Sequence, residues 1–235
     1  MEKKEKYNFD DFKEIMNTLI SEDGCPWDKI QTHETLKRYL IEESYEVLEA
    51  IENKDKENLC EELGDVLLQV VFHSVLAEKE KEFTLDDVIN GVSKKMIFRH
   101  PHIFSNANAE TAEDVLLSWE ELKKKEKGYE KQSEVLKSVP KHFPALMRAD
   151  KVLKKASDSN NEKSSLKEAV ESLKQLVNTI DTESIDKNNT NDELIGEILL
   201  KTSNISKFLK INSEFALTKS IEKFINNFEE NENKK

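Results

Sequence analysis

Helix breakers are almost missing from this chain, with five glycines and four prolines spread over 235 residues. Inside an α-helix glycine costs about 1 kcal/mol and proline about 3 kcal/mol. A chain that avoids both, and has few stretches of alternating β-branched residues, is committed to helices. The expected fold is therefore all-α. Apolar periodicity predicts a first helix over about Phe9 to Ile20, with Phe12, Ile15, Met16 and Leu19 on one face. A turn, DGCPWD, follows at Asp23 to Asp28, with Trp27 expected to plug the packing. A second helix over about Thr32 to Asn53 is expected to turn Leu36, Leu40, Val47, Leu48 and Ile51 towards the core, and a third covers about Glu57 to Lys79. Thr84 followed by LDD reads as an N-cap with acids in the first turn, opening a helix that Pro101 stops. A polar loop at Ser105 to Glu110 leads to a helix over about Thr111 to Lys127.

Two of these helices carry acids three residues apart, EESYE at Glu42 to Glu46 and ELGD at Glu62 to Asp65. Residues three apart share a helix face, so Glu43 pairs with Glu46 and Glu62 with Asp65, and antiparallel packing brings the pairs together. With 48 acids in the chain, about one position in five is acidic, and the pattern alone is also that of two solvated faces. The neighbourhood of Asp65 argues for more. Leu63 to Ala77 reads LGDVLLQVVFHSVLA, in which Asp65 is the one charged side chain, so the helix is expected to be apolar nearly all round and buried. A carboxylate there is costly unless a cation neutralises it. Gly64 is expected to let something approach the backbone closely. Four oxygen ligands without Cys or His at ligand spacing favour Mg²⁺ or Mn²⁺ over zinc. No His has a Glu three residues before it, which sets a di-iron bundle aside.

Lys95 and Arg99 stand four apart on one helix face. They are either surface solubility or, beside a metal site, the cations a polyphosphate requires. Trp119 is either core or a stacking surface for a nucleobase. His100 and His102, around Pro101, are expected to cap or pack. A net charge of −12 argues against a nucleic-acid surface. Cys25 and Cys60 make no disulfide framework, residues 1 to 7 hold no signal-peptide core, and the one long apolar run is too short to span a bilayer. A reduced, cytoplasmic setting is expected.

CPWD, EESYEVLEAI, ELGDVLLQVVF and RHPHIF, in this order, resemble the MazG nucleotide pyrophosphohydrolase family, whose hallmark is EExxE followed by ExxD. The resemblance covers about Phe9 to Lys127. It implies an all-α, metal-dependent enzyme that splits nucleoside triphosphates into monophosphate and pyrophosphate, usually as a homodimer. Carried over position by position, it implies Glu43, Glu46, Glu62 and Asp65 as metal ligands, Lys95 and Arg99 as phosphate contacts, and Trp119 as a nucleotide contact. Water activated by the metal would attack the α-phosphorus, with Glu46, Glu61 or Glu42 orienting it.

The remainder reads as a second, damaged copy, giving expected domains at 1–130 and 131–235. PKHFPALMRADKVLKKAS is similar to the opening of the second repeat in two-repeat chains of that family. Glu168 and Glu171 reproduce the first acidic pair, and IGEILL echoes LGDVLL. Leu194 stands in the place of Glu62, Glu197 in that of Asp65 and Asn227 in that of Arg99, while Lys223 survives. The first half is expected to be the enzyme and the second a scaffold or dimer arm. Thr182 to Asn191 reads as a mobile loop, and the tail after Glu229 as frayed. The competing expectation is a non-catalytic helical protein that regulates a partner or binds nucleotide.

Overall fold

Caps in the sequence set where the helices begin. Asn8 and Asp11 form a reciprocal capping box at the start of α1 (Phe9–Leu19), Thr32 and Thr35 at α2 (His33–Asn53), and Thr84 and Asp87 at α4 (Leu85–Arg99). Asp55 caps α3 (Lys56–Lys79) by accepting from the Glu57 and Asn58 amides. Pro101 takes the first position of the short α5 (Pro101–Phe104), where its missing N–H costs nothing. The order continues with α6 (Ala112–Lys127), α7 (Gln132–Lys137), α8 (Ala145–Ser157), α9 (Leu166–Val177), α10 (Thr190–Phe208) and α11 (Ser213–Glu232). This computed structural model describes residues 3–105, 108, 111–157, 165–180 and 190–234, and among them the chain is all-α, with no strand. Of the loops expected at Ser105 to Glu110 and Thr182 to Asn191, residues 106, 107, 109, 110 and 182–189 lie outside the described residues.

Two compact units divide the chain, Met1–Trp119 and Glu120–Lys235. In the first, α2 and α3 form an antiparallel hairpin across a tight turn. Lys54 ends α2 in the left-handed conformation (φ 57°), and Asp55 starts α3. Met16 and Ile20 from α1 and the region just after it, Leu36 from α2, Val71, Phe72, Val75 and Leu76 from α3, and Leu85 from α4 make the core. Phe12, Leu19, Tyr39 and Leu68 pack around it. Gly24 closes the turn after α1, where a Cβ would lie 2.2 Å from the Leu19 carbonyl oxygen. In the second unit α10 packs on α8 and α9. The Asp150 carboxylate accepts from the backbone and hydroxyl of Ser213, which ties α8 to the start of α11.

Several expectations are corrected. The third helix is not buried all round. Its core face is confined to Gln69–Ala77, while Leu63, Leu67 and Val70, one stripe at four- and three-residue spacing, stay exposed. On α2, Leu36 is buried, but Leu40 and Ile51 face outwards. Both helices meet the core along one stripe only, so an apolar residue on the opposite side is left outside that core. Trp27 is 49% exposed and touches Tyr39 edge-on rather than plugging the core. Nothing lies within 4 Å of a Cβ built on Gly64, so no close approach explains that glycine among the described residues. The tail beyond Glu229 continues α11 to Glu232. No helix among the described residues is long and apolar enough to cross a membrane.

Candidate functional site

The turn at Lys54 and Asp55 sets the register in which the two acidic segments meet. One carboxylate oxygen from each of Glu43, Glu62 and Asp65 lies within 4.8 Å of the other two. Glu46, one turn beyond Glu43, is exposed and lies within interaction range of Glu43 and Glu62. Partial burial, then Asp65 and Glu46, push the Glu43 carboxyl above the ordinary carboxylate range. Glu62 is pushed up as well, by desolvation first and then by Glu46 and Asp65. Among the described residues no Lys, Arg or His forms an ion pair with any of the four. Like charges gathered without a counter-charge are unfavourable on their own, and a cation between them reverses the sign.

The donors are all oxygens, come from two rigid helices and include no thiolate or imidazole. That set fits Mg²⁺ or Mn²⁺, hard ions that accept a few carboxylates and keep further positions for water or phosphate.

On α4, Lys95 is exposed and Arg99 is 7% exposed. The guanidinium carbon of Arg99 sits 5.6 Å from the centre of the Trp119 ring, and His100 meets the same ring edge-on at 4.8 Å. Trp119 is half-buried, outside the apolar core, in a polar aromatic cluster with Arg99 and His100. The His100 Nδ1 lies 2.6 Å from the Met96 carbonyl oxygen at the end of α4, so this histidine both caps and packs. Its contact with Trp119 was not legible in sequence, because nineteen positions separate the two. Thus the structure brings Glu43, Glu46, Glu62 and Asp65 together and sets Arg99 against Trp119, while Lys95 makes no ion pair among the described residues.

In the second unit the corresponding acids are otherwise engaged. The Glu168 carboxylate accepts from the Ser165 amide at 2.7 Å as part of the cap of α9, which holds it below the usual range. Glu171 pairs with Lys174 at 3.9 Å.

Residues 31–104 match the family model described as the MazG nucleotide pyrophosphohydrolase domain. An Escherichia coli protein named nucleoside triphosphate pyrophosphohydrolase is 37% identical over 213 residues, 89% of this chain and 81% of that protein. A Thermotoga maritima protein named nucleoside triphosphate pyrophosphohydrolase/pyrophosphatase MazG is 39% identical over 228 residues, 95% and 85% of the two chains. The uncharacterized protein YabN of Bacillus subtilis is 43% identical over 225 residues, which are 94% of this chain but 46% of that longer relative.

Proposed function

The chain belongs to the MazG nucleotide pyrophosphohydrolase family, and from that premise we propose that it hydrolyses nucleoside triphosphates to monophosphates and pyrophosphate with a divalent metal, Mg²⁺ or Mn²⁺. The observation that carries this reading is the convergence of Glu43, Glu62 and Asp65 within 4.8 Å, with Glu46 beside them and, among the described residues, no cationic side chain paired to any. Those four residues hold the metal. When bound, such an ion neutralises phosphate charge and acidifies a bound water.

The protein's own groups do the rest. Glu46, exposed at the edge of the trio, accepts the proton of the attacking water, with Glu42 and Glu61 as neighbouring alternatives. The water oxygen bonds to the α-phosphorus, the bond from that phosphorus to the bridging oxygen breaks, and pyrophosphate leaves. Lys95 and Arg99 bind the departing phosphates and stabilise the charge that builds there. Arg99 is already braced by Trp119, and that indole is the surface offered to a base. Recognition through phosphate and metal favours broad tolerance of the base.

Residues 1–130 are the catalytic domain in this reading, and 131–235 a degenerate repeat serving as scaffold or dimer arm. Support for the loss of a second site comes from Glu168 acting as a helix cap and Glu171 as an ion-pair partner, with Leu194 in a ligand position. The exposed apolar stripes of the first unit, Leu63, Leu67 and Val70 on α3 and Val88 and Val92 on α4, support a homodimer. The absence of a disulfide framework supports a cytoplasmic setting.

The test is incubation of the purified chain with several nucleoside triphosphates and Mg²⁺, with products separated by chromatography. Monophosphate and pyrophosphate are expected. Glu62→Gln and Asp65→Asn should each abolish product while the helical circular dichroism is unchanged. Wild-type turnover in either variant, or release of diphosphate and inorganic phosphate, overturns the assignment.

A further inference from the structure

A second cluster of ligand-type side chains sits at the opposite end of the α2/α3 hairpin, roughly 15 Å along α2 from Glu43 at 1.5 Å per residue. A ring nitrogen of His33 and one carboxylate oxygen each of Glu80 and Glu82 lie within 4.8 Å of one another. All three sit on fixed backbone. His33 is the first residue of α2, immediately after the Thr32 capping box. Glu80 and Glu82 flank Lys81, whose left-handed φ of 62° ends α3 in a Schellman turn. The Glu82 amide donates to the Ala77 carbonyl at 2.9 Å and the Lys81 amide to the Glu78 carbonyl at 3.1 Å. That turn points both glutamates at the His33 ring.

Behind His33 stands His73 of α3. The two rings are parallel within 5°, 5.0 Å apart, and their Nδ1 atoms share a hydrogen bond of 2.7 Å. Such a bond between imidazoles requires one Nδ1 to donate and the other to accept. Where His33 donates, its Nε2 carries the lone pair, and Nε2 makes no hydrogen bond among the described residues. The two carboxylates are acceptors only, and neither enters an ion pair or a side-chain hydrogen bond among the described residues. Three acceptors thus converge with no donor between them among the described residues, and the His33 ring is held in orientation from behind through its Nδ1.

We propose that His33, Glu80 and Glu82 form a second metal site, distinct from the four-carboxylate cluster, that takes a borderline divalent ion of the zinc class, with His73 as a positioning residue. One nitrogen and two oxygens plus water make an open four-coordinate site. Such geometry sets donors about 3.3 Å apart, a distance that the two exposed glutamate side chains reach by rotamer changes. The nitrogen donor selects against Mg²⁺, so the two sites divide the ions between them. An ion here ties the first residue of α2 to the end of α3 and clamps the open end of the hairpin that carries the catalytic acids.

The full chain carrying Glu62→Gln and Asp65→Asn, which silences the first cluster, is titrated with Co²⁺ as a spectroscopic probe and with Zn²⁺ by calorimetry. One equivalent per chain is expected, with a visible Co²⁺ band that excess Mg²⁺ leaves in place. His33→Ala, and separately the surface pair Glu80→Gln with Glu82→Gln, should remove the band and weaken binding at least about thirtyfold, and His73→Phe should weaken it about tenfold. Circular dichroism checks folding, and the glutamate pair, being exposed, tests the site even if His33→Ala disturbs α2. No Co²⁺ binding in the silenced background, or binding that both sets of variants leave unchanged, overturns the proposal.

Discussion

Glu43 and Glu62 carry carboxyls raised by desolvation and by their acidic neighbours. Between the ordinary value of 4.5 and the raised one, the folded chain holds more protons than the unfolded chain. Their contribution to stability is therefore present below that window and lost as pH climbs through it. Glu62→Gln should accordingly raise the melting temperature of the metal-free protein at pH 7.5, and the gain should shrink as pH falls towards about 4.5. Thermal melts of both proteins in chelator across this range check it, and Mg²⁺ should stabilise the wild type more than the variant. Arg99 makes a second residue-level case. Arg99→Lys gives up the guanidinium's place over the Trp119 ring, at a cost of about 0.5 to 1 kcal/mol, and the forked grip on phosphate. Denaturant unfolding should show that loss, and steady-state kinetics a KM about tenfold higher. The acid spacing was legible because three-residue intervals define a helix face. The sharing of Trp119 between Arg99 and His100 was not, since no periodicity links positions so far apart.

Two glycines show how differently one residue type serves the elements. Gly24 stands where a side chain would meet the Leu19 and Thr18 carbonyls, at 2.2 and 2.4 Å, so Gly24→Ala should destabilise by about 1 to 3 kcal/mol. Gly64 lies inside α3 with open space around it, and Gly64→Ala should add about 1 kcal/mol through helix propensity. Chemical denaturation measures both. The helices and most starts, Thr84 with Asp87 above all, could be read from sequence because caps and first-turn acids are local signals. The exposure of Leu63, Leu67 and Val70 could not. A run of apolar residues looks the same whether its second face is met by its own core or left for another molecule. Glu168 repeats the spacing of the first acidic pair, but a three-residue interval is also that of a capping box, and Ser165 claims it.

For the whole molecule, those outward stripes are the test of assembly. Leu67→Glu should halve the mass measured by light scattering at micromolar concentration, whereas an unchanged mass would place any dimer contact elsewhere. Sequence identified the fold class from its lack of breakers. It could not show that the second unit joins α8 to α11 through Asp150 and Ser213, a contact between distant positions with no repeating pattern. The brief junction at Lys54 and Asp55 carries a consequence for the chain as a whole. It works as a phase lock: one residue added after Lys54 would swing Glu62 and Asp65 about 100° around their helix, away from Glu43. The same rotation would carry Val71, Phe72, Val75 and Leu76 out of the core, so an insertion here would cost the fold as well as the acid cluster, and drift in this lineage is expected to spare that junction's length.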